Sequence, residues 1–491
     1  MSAKSISMLQ RSAVIDFAHA LVNAVLNRLL HARDSRFVGE AMQEVVTTLT
    51  AANNLGVEQP LQLQIDGLRL CHDGRALEGP SLQARSLLEH CAVRNIAMLS
   101  FRSGLNSAEA NRLFDLLLLP ENVEALDRNY REATLIAFGI QHIRVTLQNP
   151  ADPDNRRIAL DEQGRALNHY QNLATALQQN HRLAQGDHEL AADVTATAVE
   201  RAVNDFDEPS MLLSLSMQDD VDRFTVGHSV RVALLALQVA RAVGANREQL
   251  VHLGSAALMH DIGKSKVPQE ILFKQGRLTE EEWQWMAQHP RLGAQILIEQ
   301  HESVDPRTIG AAFCHHMGAE GGGYPEPLMP TPPSATSRLI RVCDVFEALT
   351  AVRPYKRALT PIEAFAIMFR NAKDFDPHWL RRFTKTLGLF PVGTHVQMQD
   401  GAKALVVKQT TDIHHPIVTL LTGAGGEALS SGQPDTIETG VPRNGATPII
   451  AGISTHDRYL PMPDFDPDDP AEVGPMAHDA CLSQHPHDHP H

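Results

Sequence analysis

Met259-His260-Asp261-Ile262-Gly263-Lys264 closes a run of apolar residues at helical spacing and stops at a glycine. A histidine and an aspartate side by side at a helix end put imidazole and carboxylate donors in one turn, with a cation three residues on. Similar donors recur on either side. His228 opens the almost wholly apolar helix 229–243. His289 precedes Pro290 at a helix junction, and Asp344 lies inside the apolar helix 335–351, with Ile340 and Ala348 on its face. His315 and His316 are neighbours on one helix, about 100° apart, so the pair can reach two different ions. From about His188 to Gly388 the pattern predicts helix almost throughout. Thr279…Glu282 and Thr360…Glu363 read as capping boxes. Asp305-Pro306 and Asp376-Pro377 set an N-cap before a proline, and Gly263, Gly318 and Gly388 stand at C-cap positions. The fold class is therefore mainly α.

A metal site needs donors converging from several elements, because one helix face offers only two. A lone histidine on an apolar helix is more often a satisfied core residue than a ligand, and an adjacent His-Asp pair is common by chance. Asp344 resists that reading, since an unpaired buried carboxylate is expensive. The coincidence of His228, His260, Asp261, His289, His315, His316 and Asp344 in one helical region points to metal. No thiolate belongs to the set, which favours iron or manganese over a structural zinc. Cys314 and Cys343 adjoin ligands but face away, and core packing is their expected role.

The 491 residues are 43% hydrophobic, enough for two to four domains. The apolar fraction excludes a wholly disordered chain, and five scattered cysteines exclude a disulfide scaffold and fit a cytoplasmic protein. No stretch is apolar enough to span a membrane or to serve as a signal peptide. Of the net charge of −15, residues 451–491 carry −7. The mildly acidic remainder argues against duplex nucleic acid as a partner. Residues 1–150 predict an α/β module. A helix runs through Val14, Phe17, Leu21, Val25 and Leu29, and a hairpin turns at Asp66-Gly67. Strands at 96–101 and 141–147 bracket a helix at 107–119. Without a paired-Asp pocket and strand-end lysine, the module is a poor match to a phosphoryl receiver. Residues 151–195 predict a helical connector, 196–388 the helical domain, 389–440 a small β appendage, and 441–491 an acidic, His-rich disordered tail.

The residue series resembles the HD superfamily of metal-dependent phosphohydrolases, and within it the HD-GYP cyclic-di-GMP phosphodiesterases. The match rests on His228-Ser229, His260-Asp261-Ile262-Gly263-Lys264 and Ile271-Leu272-X-Lys274-X-Gly276-X-Leu278. It continues through His289-Pro290-X-X-Gly293, His315-His316, Gly323-Tyr324-Pro325, Asp344-Val345-Phe346 and Arg353-Pro354-Tyr355-Lys356, over about 190 residues.

The resemblance implies an HD-type helical core in which the seven donors bind two divalent ions, iron or manganese, with Asp261 bridging. It places Lys264 at the scissile phosphate and Gly323, Tyr324, Arg353 and Lys356 on the nucleotide. Two ions suit in-line displacement at phosphorus, a fixed lysine suits the charge built there, and Arg353 offers a fork for phosphate. The implied activity is hydrolysis of cyclic di-GMP to pGpG, and onward to GMP, in bacterial second-messenger signalling. The alternatives are a catalytically weak, cyclic-di-GMP-responsive interaction protein, or a hydrolase of another cyclic dinucleotide. Residues 1–150 are then a regulatory or interaction module for a protein partner.

Three departures stand out. Met317 replaces an acidic residue of the family, Glu320 stands for an Asp before the glycine loop, Gly321-Gly322-Gly323 makes a looser loop, and Glu347 stands where Asp is usual. The loop's hydrogen bonding and the contact of position 347 with the basic clamp are the expected casualties. Some members hold a third ion with a glutamate four residues before the first histidine. Phe224 stands there, so two ions and accumulation of pGpG ahead of GMP are expected.

Overall fold

The structure is a computed structural model. It describes residues 8–118, 132–147, 162–205, 226–274, 276–300, 302–320, 322–326, 331–351, 359–423, 436–439 and 449–453. The chain is mainly α and divides into two compact units, Met1–Gln171 and Asn172–His491.

In the first unit a five-stranded antiparallel sheet is built from β1 (Leu61–Asp66), β2 (Arg69–His72), β3 (Arg75–Ala76), β4 (Ile96–Phe101) and β5 (Ile143–Leu147), in the order β3-β2-β1-β4-β5. Gly67, at φ 58°, makes the β1–β2 turn that the Asp66-Gly67 pair predicted. Helix Met8–Leu30 carries the expected apolar stripe, and Phe17 meets Phe101 of β4 edge-on at 4.9 Å. A second long helix, Arg36–Asn54, has no counterpart among the sequence expectations. It starts at Ser35, whose hydroxyl accepts from the Val38 amide, and buries Val38, Met42, Val45 and Leu49 at spacings of three and four.

The second unit is organised around helix Val226–Ala242, buried along nearly its whole length. Helices Arg247–Met259, Ala335–Thr350 and Pro377–Leu387 pack on it. A helix covered on several sides reads as apolar all round, which is what residues 229–243 display. Thr279, Asp305, Thr360 and Asp376 cap helices with side-chain oxygens as the sequence predicted, and Asn246 caps another. Gly388 stands at a C-cap, whereas Gly263 lies inside the 3₁₀ turn Ile262–Lys266 and the helix before Gly318 is capped at His315. Phe346, Phe365 and Phe383 close the core beneath, with centroids 5.0–6.1 Å apart.

The second sheet, with strands β6 (His395–Met398), β7 (Lys403–Lys408), β8 (Ile417–Leu420), β9 (Thr436–Glu438) and β10 (Ile449–Ile453), runs β10-β6-β7-β8-β9. Here the tail boundary needs correction. β10 falls within 441–491, read as disordered, yet it pairs antiparallel with β6. The short apolar run Ile449-Ile450-Ala451-Gly452-Ile453 covers a strand edge that would otherwise stand open, a demand that composition alone does not reveal. Among the described residues, no helix is long and apolar enough to cross a membrane.

Candidate metal centre

Six backbone features bring the predicted donors to one place. His228 sits in the first turn of helix Val226–Ala242, and His260 caps the C-terminus of Arg247–Met259. Asp261 then opens a 3₁₀ turn, Ile262–Lys266, and His289 begins helix His289–Ile298. His315 caps the C-terminus of Pro306–Cys314, with His316 just beyond, so the pair stands at a helix end and not within the helix. Asp344 projects from Ala335–Thr350. The close packing of the Ile262–Lys266 turn on His289–Ile298 depends on two glycines. A Cβ on Gly263 would lie 1.9 Å from the His289 carbonyl oxygen, and one on Gly293 would lie 3.2 Å from the Gly263 nitrogen. The spacing from His260 through Gly263 to His289 and Gly293 is thus a packing requirement that sets ligand against ligand.

All seven donors are buried. They form two groups, His228 with His260 and Asp261, and His289 with His315 and His316, each with its ligand atoms mutually within 4.8 Å. Asp261 lies between them. Its Oδ2 is 3.5 Å from both His228 Nε2 and His260 Nε2, while its Oδ1 is 3.2 Å from His289 Nε2 and 3.6 Å from His315 Nε2. Asp344 Oδ1 adds a contact of 3.1 Å to His228 Nε2.

Tautomers decide what this cluster can hold. Carbonyl oxygens only accept, so a ring nitrogen bonded to one carries the proton. His260 Nδ1 donates to the Ala257 carbonyl at 2.6 Å, His289 Nδ1 to Met286 at 2.7 Å, and His315 Nδ1 to Ala312 at 2.9 Å. In each neutral ring Nε2 is then a bare lone pair, and those lone pairs face the Asp261 carboxylate and each other; His289 and His315 meet Nε2 to Nε2 at 3.1 Å. His228 Nε2, His260 Nε2, Asp261 Oδ1 and Asp344 Oδ1 are buried without a hydrogen-bond partner. Buried acceptors turned on acceptors are costly unless a cation lies among them. The donor set fits divalent metal.

The titration shifts follow from the same crowding. Burial pushes His260 down to about 4 and lowers His289; burial, with His315 beside it, holds His316 well below the usual imidazole range. All three are held in the neutral form that coordinates metal. Burial alone would raise Asp261, but Lys264 and His260 pull its carboxyl well below the usual range. Burial would lower His228, yet the Glu347 carboxylate outweighs it and lifts the ring to about 9 in the metal-free protein.

Lys264 is buried, its Nζ 2.5 Å from Asp261 Oδ2. Tyr324 stacks on His316 with centroids 4.6 Å apart and planes 16° from parallel, and Trp283 meets Tyr324 edge-on at 5.7 Å. Among the described residues of the glycine loop, Gly318 N donates to Gly322 O at 2.7 Å and Met317 pairs with Gly323 through the backbone. Gly323 has φ 85°, and a Cβ there would strike the His316 carbonyl, so this position admits only glycine. Glu347, whose contact with the basic clamp was expected to change, faces His228 and Arg231 among the described residues. Its Oε2 accepts from His228 Nδ1, and its Oε1 accepts from Arg231 Nε at 2.6 Å and from Arg231 Nη2. Arg231 was missed altogether, though a charge inside the apolar run 229–243 was the available signal. Arg353 and Lys356, like Asp222 and Phe224, lie outside the described residues.

Residues 214–379 match the family model described as HD domain. This part of the chain is similar to HD domains. The HD domain is the metal-dependent kind that the buried His/Asp groups call for. A cyclic di-GMP phosphodiesterase of Pseudomonas aeruginosa is 33% identical over 262 residues, 53% of this chain and 63% of that protein. The cyclic di-GMP phosphodiesterase response regulator RpfG of Xanthomonas campestris is 36% identical over 148 residues, 30% of this chain and 39% of the relative. A 3′3′-cGAMP-specific phosphodiesterase of Vibrio cholerae is 37% identical over 171 residues, 34% and 36% of the two chains. The chain spans less than two thirds of the length of each of these relatives.

Proposed function

We propose that this chain is a metal-dependent phosphodiesterase that hydrolyses cyclic di-GMP to pGpG in bacterial second-messenger signalling, with further cleavage to GMP slower. The observation that carries the reading is Asp261, its two oxygens each turned to a different set of imidazole lone pairs. In the same reading His228, His260, Asp261, His289, His315, His316 and Asp344 would hold two divalent ions, with Asp261 placed to serve both. The thiolate-free donors favour iron or manganese. When bound, such a pair supplies the water-activating and charge-neutralising chemistry of in-line displacement at phosphorus.

The chain's own residues do the rest. Three backbone carbonyls hold His260, His289 and His315 with Nε2 inward, so no rotation is needed when ions enter. Lys264 holds the Asp261 carboxylate and carries a positive charge that meets the negative charge growing on the phosphoryl oxygens. Tyr324 presents a ring at the edge of the cluster for a guanine base, with Gly323 allowing the backbone to approach, while Arg353 and Lys356 grip the nucleotide phosphates. Residues 1–150 act as a regulatory or protein-interaction module joined through the 151–195 connector, and the enzyme works in the cytoplasm. The names of the Pseudomonas and Xanthomonas relatives support the substrate.

A second reading, hydrolysis of 3′3′-cGAMP, is favoured by the name of the Vibrio relative at 37% identity. The test offers both cyclic dinucleotides to manganese- or iron-loaded protein and separates the products by chromatography. Faster turnover of cyclic di-GMP with pGpG appearing first is expected; preference for 3′3′-cGAMP would move the assignment.

A further inference from the structure

Behind His228 stands a buried chain of three charged side chains. His228, Arg231 and Glu347 are 5, 7 and 3% exposed. Arg231 lies one turn after His228 on helix Val226–Ala242, and Glu347 one turn after Asp344 on Ala335–Thr350, so the two helices that bear metal-facing donors also supply the backing. The carboxylate is divided: one oxygen serves the ring and the other serves the guanidinium. Every other imidazole of the cluster whose Nδ1 is accounted for is fixed by a backbone carbonyl. His228 sits in the first turn of its helix, and the acceptor that fixes its ring comes from a side chain.

We propose that Arg231 and Glu347 are positioning residues that lock His228 in the tautomer whose Nε2 lone pair faces the ion, with Arg231 deciding which way the group at 347 is turned. This rests on the metal-centre reading above. The argument is one of donor and acceptor sense. Arg231 is donor-only, so it takes an oxygen from whatever stands at 347. A carboxylate has a second oxygen left for His228 Nδ1–H. A carboxamide does not: with its oxygen claimed by Arg231, its NH₂ faces Nδ1 and donates. His228 then accepts at Nδ1, carries its proton on Nε2 and aims an N–H at the ion. Glu347→Gln, nearly identical in shape, should therefore strip His228 of its ligand function. Removing the guanidinium frees the amide to turn its oxygen to His228, so Arg231→Met should repair the damage in that background.

The experiment titrates chelator-treated protein with Mn²⁺ and counts bound ions for the unaltered chain, Glu347→Gln, Glu347→Asp and Arg231→Met/Glu347→Gln, with far-UV circular dichroism as the fold check. Glu347→Gln should weaken one of the two ions by about 10–100-fold, the usual effect of losing a partner behind a ligand. Glu347→Asp, still with two acceptor oxygens, should lose less than about tenfold. The double variant should bind more tightly than Glu347→Gln alone, an outcome that loss of packing cannot produce. Manganese binding by Glu347→Gln equal to the unaltered chain, or a double variant no better than the single, overturns the inference while leaving the metal centre standing. Should Glu347→Gln fail to fold, a comparable loss of manganese in Glu347→Asp overturns it. No manganese uptake by the unaltered chain overturns both readings.

Discussion

Each unit buries a carboxylate against histidine, and the two do opposite things with it. In the first unit Glu109 is 2% exposed, accepts the backbone amides of Gln141, at 2.6 Å, and His142, and takes His142 Nδ1 at 2.8 Å. Donors surround it, and it ties helix Ser107–Leu118 to the approach of β5. In the second unit Asp261 is 1% exposed, and beside Lys264 and His228 it faces the Nε2 atoms of His260, His289 and His315, whose protons sit on the far side of the ring. Both are buried carboxylates beside histidine; the sense of the hydrogen bonds differs. A satisfied carboxylate is architecture, and one facing lone pairs is a place for a cation.

That contrast yields graded predictions. Asp261→Ala should abolish phosphodiesterase activity and drop bound metal toward zero or one ion per chain, with the helical fold retained by circular dichroism; full turnover in this variant breaks the contrast outright. Tyr324→Ala, and Arg353→Ala with it, should spare metal content and raise KM roughly 5–100-fold, the range expected for a lost base stack of about 1–3 kcal/mol. Loss of metal in either would move that residue into the coordination sphere. Glu109→Leu should lower stability by about 3 kcal/mol, since buried amides lose their acceptor. Its metal content should match the unaltered chain, and a fall in bound metal would erase the distinction between the two carboxylates.

The smallest effect is a pH dependence of the chelated protein. His260, pushed down to about 4, takes up its proton in the unfolded chain first, so stability from this group rises between about pH 4 and the unfolded value of about 6.5. His228, lifted to about 9, works in reverse: its contribution is complete below about 6.5 and is lost as pH rises through 9. Melting temperature of the chelated protein should therefore peak near pH 6.5, and metal should flatten the curve. A monotonic rise from pH 5 to 9 contradicts the assigned environments.

How much of this the sequence carried depends on whether the information was local. Capping boxes, the Asp66-Gly67 turn and the almost wholly apolar helix around Val230–Val239 are readable because their cause lies within a few residues. The seven donors were legible as a series, since glycine spacing at Gly263 and Gly293 marks where two elements touch. What imidazoles do with their second nitrogen was not legible. The carbonyls of Ala257, Met286 and Ala312 exist in every sequence and acquire meaning only through helix-end geometry. Arg231 and Glu347 are 116 residues apart in the chain and meet only because two helices pack side by side. β10 was hidden for the same reason, its partner β6 being about fifty residues earlier.

The most direct test of the central claim measures metal content and cyclic di-GMP turnover on one preparation, before chelation, after it, and after return of manganese or iron. The account predicts two ions per chain and pGpG formation that disappears with the metal and returns with it. A chain holding both ions that leaves cyclic di-GMP intact, or hydrolysis that survives complete removal of metal, would contradict it.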